Sequence, residues 1–385
     1  MADNQLHVLL LGVSEYPNLP GPGDLMIDSA YGLQKLTSPA ISAFRVYQWL
    51  LKANEDGLLP LPLSDELQLL LSPSQAELDA CPEMVDAQNA GKFKPCTLDN
   101  VLIAADKWRK AASNQQGDMT WFHFSGHGVQ RSNTDAVLLL EEFGLEGGGR
   151  LVKSIDVNTL TKGMAPSPSR PDIARTQAYF IDACRMRPEE FNRLDGQEPT
   201  QLFTVELNLP DDRSTPILFA SISGDEALGF NARESLFVKS LLHCLNGNAG
   251  ILVDNDQGES QWVVTIQCLP EVLKYRFAQE GFNQTVILDG PMNRDIHLKR
   301  STEPPHVDVL IDVNPDTARA SARIDVIEST RLSAMPLPST ALPISVRWPA
   351  GYYRFQVTVT PPYMSLAPMP RLLLPPRRSL IGKVV

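Results

Sequence analysis

The chain has 385 residues, with 34 Lys and Arg against 45 Asp and Glu, a net charge of −11, 43% hydrophobic residues and five cysteines. Roughly 100–200 residues per domain leaves room for one large domain and a smaller one, and the acidic balance argues against nucleic acid, whose binders carry a basic stripe that releases counterions. Cys81, Cys96, Cys184, Cys244 and Cys268 form no CxxC pair, so reduced thiols are expected rather than a zinc or redox motif.

In chain order, Met1-Ala-Asp-Asn-Gln-Leu6 has no basic segment leading into an apolar one, and no run approaches the ~18–20 apolar residues of a membrane span. The expectation is a cytoplasmic protein with no membrane partner. His7–Val13 is short and rich in Leu and Val, as in a strand buried on both faces. A helical pattern covers Ala40–Ala53, a second strand pattern Leu67–Leu71, and another helix Thr97–Ser113, with Thr97 placed as its N-cap. Met119–Phe124, Ala136–Leu140 and Gln177–Ile181 read as strands, with a helical pattern at Asp156–Met164 before the third of them. Ile217–Ile222 reads as a strand, and Glu234–Leu245 and Pro270–Glu280 as helices. Strands separated by helix-length patterns imply an α/β domain over residues 1–300, with a mostly parallel sheet flanked by helices on both faces.

Beyond Pro304-Pro305 the texture changes: 13 of the 31 prolines fall in residues 301–385 and helical periodicity disappears. Val307–Val313, Ala322–Ile327, Ile344–Trp348 and Tyr352–Thr360 alternate apolar and polar residues, so residues 305–385 read as a small all-β, sandwich-like accessory domain. Gly147-Gly-Gly149 lacks a following Lys-Ser/Thr and reads as a surface loop, not a phosphate-binding one.

Two strand ends carry chemistry. Trp121-Phe-His-Phe-Ser-Gly-His-Gly128 leaves its strand through a histidine between glycines, and Tyr179-Phe-Ile-Asp-Ala-Cys-Arg185 ends at a cysteine. Sites in parallel α/β sheets form outside the carboxyl ends of strands, so His127 and Cys184 are expected to converge. An ordinary thiol, with a pKa near ~8.5, needs an imidazole to take its proton. The backbone amides of Gly128 and Cys184 are candidates for an oxyanion hole. His123 falls on the strand body, where two-residue periodicity makes it a core or supporting histidine. Cys81 repeats the Asp-Ala-Cys string but follows a polar run and precedes Pro82, so it reads as a decoy. Cys244 and Cys268 read as small buried apolar residues.

Ser125-Gly-His-Gly128 and Asp182-Ala-Cys-Arg185, in this order and 57 residues apart from histidine to cysteine, resemble the caspase and metacaspase cysteine-peptidase family in a bacterial style. Val8-Leu-Leu-Leu-Gly-Val-Ser-Glu-Tyr16 resembles that family's first strand, and Pro216–Ser221 with Ser235-Leu-Phe237 its later strand and helix; the resemblance covers about residues 5–290. It implies a cysteine endopeptidase with His127 and Cys184 as its dyad. Animal caspases have Gln where this chain has Asp182, a position at which metacaspases that cut after Arg or Lys carry Asp. A carboxylate there would take a guanidinium bidentately, predicting Arg over Lys and both far above Asp. Asp225 falls where related enzymes build another pocket wall. The family also implies that residues 186–215 link the two catalytic halves, with Arg193 and Arg213 as candidate processing sites for the enzyme itself or an upstream protease. Arg185-Met-Arg-Pro188 departs from the glycine that often follows the cysteine. No acidic cluster points to a calcium site, so no cofactor is expected, though calcium dependence is not excluded. The expected partner is a protein substrate with an exposed Arg or Lys, in a cell-death or defence role. The rival readings are a catalytically silent caspase-like scaffold that binds peptides, and a separase-like or legumain-like peptidase with another pocket preference.

Overall fold

The computed structural model describes residues 3–21, 23–25, 30–130, 136–144, 150–185, 198–206, 209–221, 229–254, 257–330, 332–339 and 341–385. β1 (Leu6–Val13) is buried along its whole length. α1 (Pro39–Glu55) starts with proline at its first position, where the missing N–H costs nothing. β2 (Gln68–Ser72) is followed by α2 (Gln75–Ala80), which opens with a Ser74/Glu77 capping box, and by α3 (Pro82–Asn89). Neither short helix was anticipated from periodicity. α4 (Leu98–Ala111) begins at Thr97, whose hydroxyl accepts from the Asn100 amide as expected. β3 (Met119–Gly126), β4 (Gly128–Val129), β5 (Val137–Leu139), β6 (Ser154–Asp156), α5 (Val157–Gly163) and β7 (Thr176–Ala183) follow. Then come β8 (Ile217–Phe219), α6 (Leu236–His243), β9 (Ile251–Asp254), β10 (Ser260–Thr265), α7 (Leu269–Gln279) and β11 (Ile287–Asp289).

The central sheet has six strands in the order β11-β8-β7-β3-β1-β2. All its pairings are parallel except that of β11 with β8. Alternation along β3 and β7 divides their aromatic residues between the two faces of the sheet. Trp121 stacks on Phe180 at 4.3 Å between centroids, with Trp49 of α1 beyond. On the opposite face Phe122 meets Tyr179 at 6.0 Å and Trp108 of α4 at 6.1 Å. The sheet is therefore covered on both sides, the mixed α/β arrangement with a mostly parallel sheet that the sequence predicts. One strand does not join it: Ala136–Leu140 supplies β5, which pairs antiparallel with β4 and β6 in a separate three-stranded sheet.

The chain divides into two compact units, residues 1–242 with 273–296 and residues 243–272 with 297–385, rather than at a single break near residue 300. The reason is sheet pairing: β10 hydrogen-bonds both to β9 and to β12 (His297–Ser301), drawing earlier residues into the second unit. That unit continues with β13 (His306–Asn314), β14 (Arg323–Glu328), β15 (Ser333–Ala334), β16 (Ile344–Pro349), β17 (Gly351–Thr358), β18 (Leu366–Leu373) and β19 (Arg377–Lys383). Sheets β16-β13-β19 and β15-β14-β17-β18 share one core in which Val307, Val309 and Ile311 of β13 join Tyr353, Phe355 and Val357 of β17. β18 was missed because it contains Pro368 and Pro370; it lies at a sheet edge, where proline is tolerated.

α1 approaches β1 closely at Gly12, where a side-chain carbon would lie 2.9 Å from both Ala40 Cα and Ala43 Cβ. Gly12→Val is expected to destabilise the first unit by about 1–3 kcal/mol, measured by denaturant melts.

Candidate active site

The pairing of β3 with β7 builds the site. Its register runs Met119↔Thr176 through Ser125↔Asp182 and Gly126↔Ala183. His127 and Cys184 are the next residues off the same two adjacent strands. Gly128 then lies directly against the cysteine: a side-chain carbon there would be 2.6 Å from the Cys184 carbonyl oxygen and 2.8 Å from Ala183 Cβ. His127, Cys184 and Asp182 line one cavity of about 320 Å³, with Lys35 and Phe230 among its other walls.

His127 is held from three directions. Its Nε2 lies 2.6 Å from the Gln34 carbonyl oxygen, which can only accept, so Nε2 carries the proton and Nδ1 is left as the basic nitrogen. Its backbone amide donates to the Tyr16 hydroxyl at 2.9 Å, and the Tyr16 hydroxyl donates to the Leu139 carbonyl at 3.2 Å. The Tyr16 ring packs tilted on the imidazole, 4.9 Å between centroids. Burial lowers the His127 pKa to about 4, against the opposing pull of the Gln34 carbonyl, so the ring is neutral at pH 7.

Asp182 is also buried, and its partners are hydroxyls. Oδ2 accepts from Ser125 Oγ at 2.9 Å and from Ser235 Oγ at 2.6 Å. Burial raises its pKa to about 6, with the Ser235 and Ser125 hydrogen bonds opposing the rise. Two donors fill the acceptor sites of Oδ2, while Oδ1 has no partner among the described residues. The two-oxygen fork expected for an arginine is therefore reduced to one open oxygen.

Of the other expected site residues, Asp225 and Arg193 lie outside the described residues. Arg213 does not present itself for cleavage. It is 4% exposed, and its guanidinium grips both carboxylate oxygens of Asp211 at 2.7 and 2.6 Å and also donates to the Thr161 carbonyl and Gln177 Oε1. Arg185 is likewise buried, 4.3 Å over the Phe219 ring. Cys81 joins α2 to α3 with its sulfur 3.3 Å from Glu83, and burial pushes its pKa up, so it is not an activated thiol. Cys96 and Cys244 are buried and Cys268 is partly so. Among the described residues no cluster of three His, Cys, Asp or Glu could hold a metal ion, and no helix is long and apolar enough to cross a membrane.

Residues 81–257 match the caspase domain of the C14 peptidases. Over those residues the chain is similar to that domain. The match contains His127, Asp182 and Cys184, and the family's members are cysteine peptidases. Among solved structures, a protein from Geobacter sulfurreducens is similar at 13% identity, over 76% of this chain and 95% of its own, with a TM-score of 0.43. Caspase-1 from Spodoptera frugiperda is similar at 10% identity, over 76% of this chain and 89% of its own, also at 0.43. No curated protein matches the chain in sequence.

Tyr16, Gln34 and Ser235 were not singled out from the sequence as site residues. Ser235 carried a local signal, a serine directly before an apolar helical run, and its hydroxyl does accept from the Val238 amide at 3.0 Å. Gln34 carried none, because it acts through a backbone carbonyl that any residue has.

Tyr16→Phe leaves the buried His127 amide without its acceptor, an expected cost of about 1–3 kcal/mol in denaturant melts. The domain should also be acid-labile. His123 and His127, with pKa values of about 3 and 4 against the ordinary 6.5, contribute stability present above pH 6.5 and lost as the pH falls towards those values, because the unfolded chain protonates first. Asp182, at about 6 against 3.8, has the opposite sign and offsets part of the loss between those values. Melting temperature is therefore expected to fall from pH 7 to pH 5, with a shallower fall in His123→Phe.

Proposed function

We propose that the protein is a cysteine endopeptidase that cuts after basic residues, with His127 and Cys184 as its dyad and Asp182 at the floor of the specificity pocket. The observation that carries this reading is the shared cavity of these three side chains, set at the ends of two paired strands. A neutral His127 takes the Cys184 proton on Nδ1 as the sulfur attacks the scissile carbonyl. The Gly128 and Cys184 amides receive the oxyanion, and the imidazolium returns the proton to the leaving amine. The resulting thioester is then hydrolysed by a water whose proton His127 accepts, and the thiol is regenerated.

Asp182 gives the cavity one open anionic oxygen, which suits a guanidinium or an ammonium and repels an acidic side chain. With a single oxygen available, the preference for Arg over Lys should be less than about tenfold, since the second hydrogen bond of a fork is missing. Activation by cutting within 186–215 fits the family resemblance. Arg193 is the proposed site, Arg213 being already engaged in the fold. A role as a cell-death or defence effector is proposed on the resemblance alone.

A peptide library cut by the wild type and not by Cys184→Ala, with Arg or Lys before the scissile bond, is the expected result. Absence of such cleavage removes the reading and leaves a peptide-binding scaffold. Asp182→Asn should lower kcat/KM on Arg and Lys peptides about 10- to 100-fold. It should also abolish the rise in wild-type kcat/KM as the pH climbs through about 6, where Asp182 ionises. If purified Cys184→Ala is still clipped near Arg193, processing is not autocatalytic.

A further inference from the structure

His123 takes no part in the dyad, yet it is fully buried two residues before Ser125 on the same face of β3. Its Nε2 lies 3.1 Å from Ser125 Oγ. The serine proton goes to Asp182 Oδ2, 2.9 Å away and in register across the β3–β7 pair. Ser125 can then only accept from the histidine, so Nε2 of His123 carries its proton and donates it. Nδ1 is buried with no hydrogen-bond partner among the described residues. Burial lowers the pKa of the ring to about 3, so it acts as a neutral donor throughout the working range.

The second donor to Asp182 is organised in the same way. Ser235 accepts from the Val238 amide at the start of α6 and donates to the same Oδ2. Each hydroxyl thus has its acceptor side occupied by an N–H, which turns its single proton onto the carboxylate. Without that N–H a hydroxyl is free to rotate and to present its lone pairs instead.

We propose that His123 is a positioning residue for the specificity pocket: by donating to Ser125 it directs the serine hydroxyl onto Asp182 and fixes the carboxylate so that Oδ1 faces an incoming basic side chain. The proposal rests on the reading of Asp182 as the pocket floor. The other titratable groups around the carboxylate are His127, Cys184 and Lys35 on the cavity wall, the last paired with Glu15.

The test measures binding of 4-aminobenzamidine, a fluorescent amidinium probe, from pH 5 to 8, so that no turnover is required. Wild type should bind, with a midpoint set by Asp182, and Asp182→Asn should not. His123→Phe should weaken binding about tenfold, the worth of one hydrogen bond to a charged group, and move the midpoint upward. His123→Gln, which keeps an N–H donor, should stay close to wild type. Ser125→Ala should match His123→Phe, and the double variant should lose nothing more, as expected of two members of one chain. Alkylation of Cys184 by iodoacetamide should proceed at the wild-type rate in the His123 and Ser125 variants, which separates loss of orientation from collapse of the site.

Unchanged affinity and midpoint in His123→Phe, or fully additive losses in the double variant, overturn the proposal. Should His123→Phe fail to fold, Ser125→Ala against His123→Gln decides: equal losses in both overturn it, and loss confined to Ser125→Ala supports it. If wild type itself does not bind the probe, the pocket reading of Asp182 falls and the proposal with it.

Discussion

The parallel pairing of β3 with β7 is the constraint on which the site depends. A parallel ladder has one register for its whole length, so a constant offset of 57 residues sets Ser125 opposite Asp182 and delivers His127 and Cys184 together at the strand ends. Slipping the pair by one residue would turn Asp182 to the other face of the sheet and place Phe122 and Phe124 where Trp121 and His123 now lie. The aromatic packing on the two faces, with Trp121 on Phe180 and Phe122 against Tyr179, resists that slip. Hydrophobic patterning and the site are held by the same hydrogen bonds.

Burial then determines the chemistry of the groups so placed. Neutral donors and acceptors surround them: a carbonyl for His127, two hydroxyls for Asp182, a further hydroxyl for the His127 amide. Desolvation accordingly dominates, lowering the histidines and raising the aspartate. The same dry surroundings that cost stability would strengthen the attraction of Asp182 for a cation that enters the cavity.

Much of this fold was legible because its signals are local. Buried strands announce themselves as short apolar runs, and Thr97 capped its helix as a threonine before an apolar pattern should. Legibility failed where a long-range pairing overruled a local pattern. Ala136–Leu140 looks like any other strand, but it pairs with β4 and β6 away from the central sheet. Residues 243–272 look like a continuation of the first domain, yet β10 pairs with β12 and draws them into the second unit. The prolines of β18 concealed a strand that an edge position permits. Arg213 was a candidate processing site by residue type, and its burial depends on the Thr161 carbonyl and Gln177, 52 and 36 residues away.

The sequence alone determined the fold class and the two strand ends that matter, because residue type and two-residue alternation specify which strands are buried and where a His and a Cys leave them. Tertiary structure alone decided how those groups are tuned. The proton on His127 Nε2 is set by a carbonyl 93 residues away, and the pKa of Asp182 by its exclusion from water. Its one open oxygen is left by serines 57 and 53 residues distant. Tautomer, desolvation and hydroxyl direction are properties of assembled neighbours, and a string of residue names does not contain them.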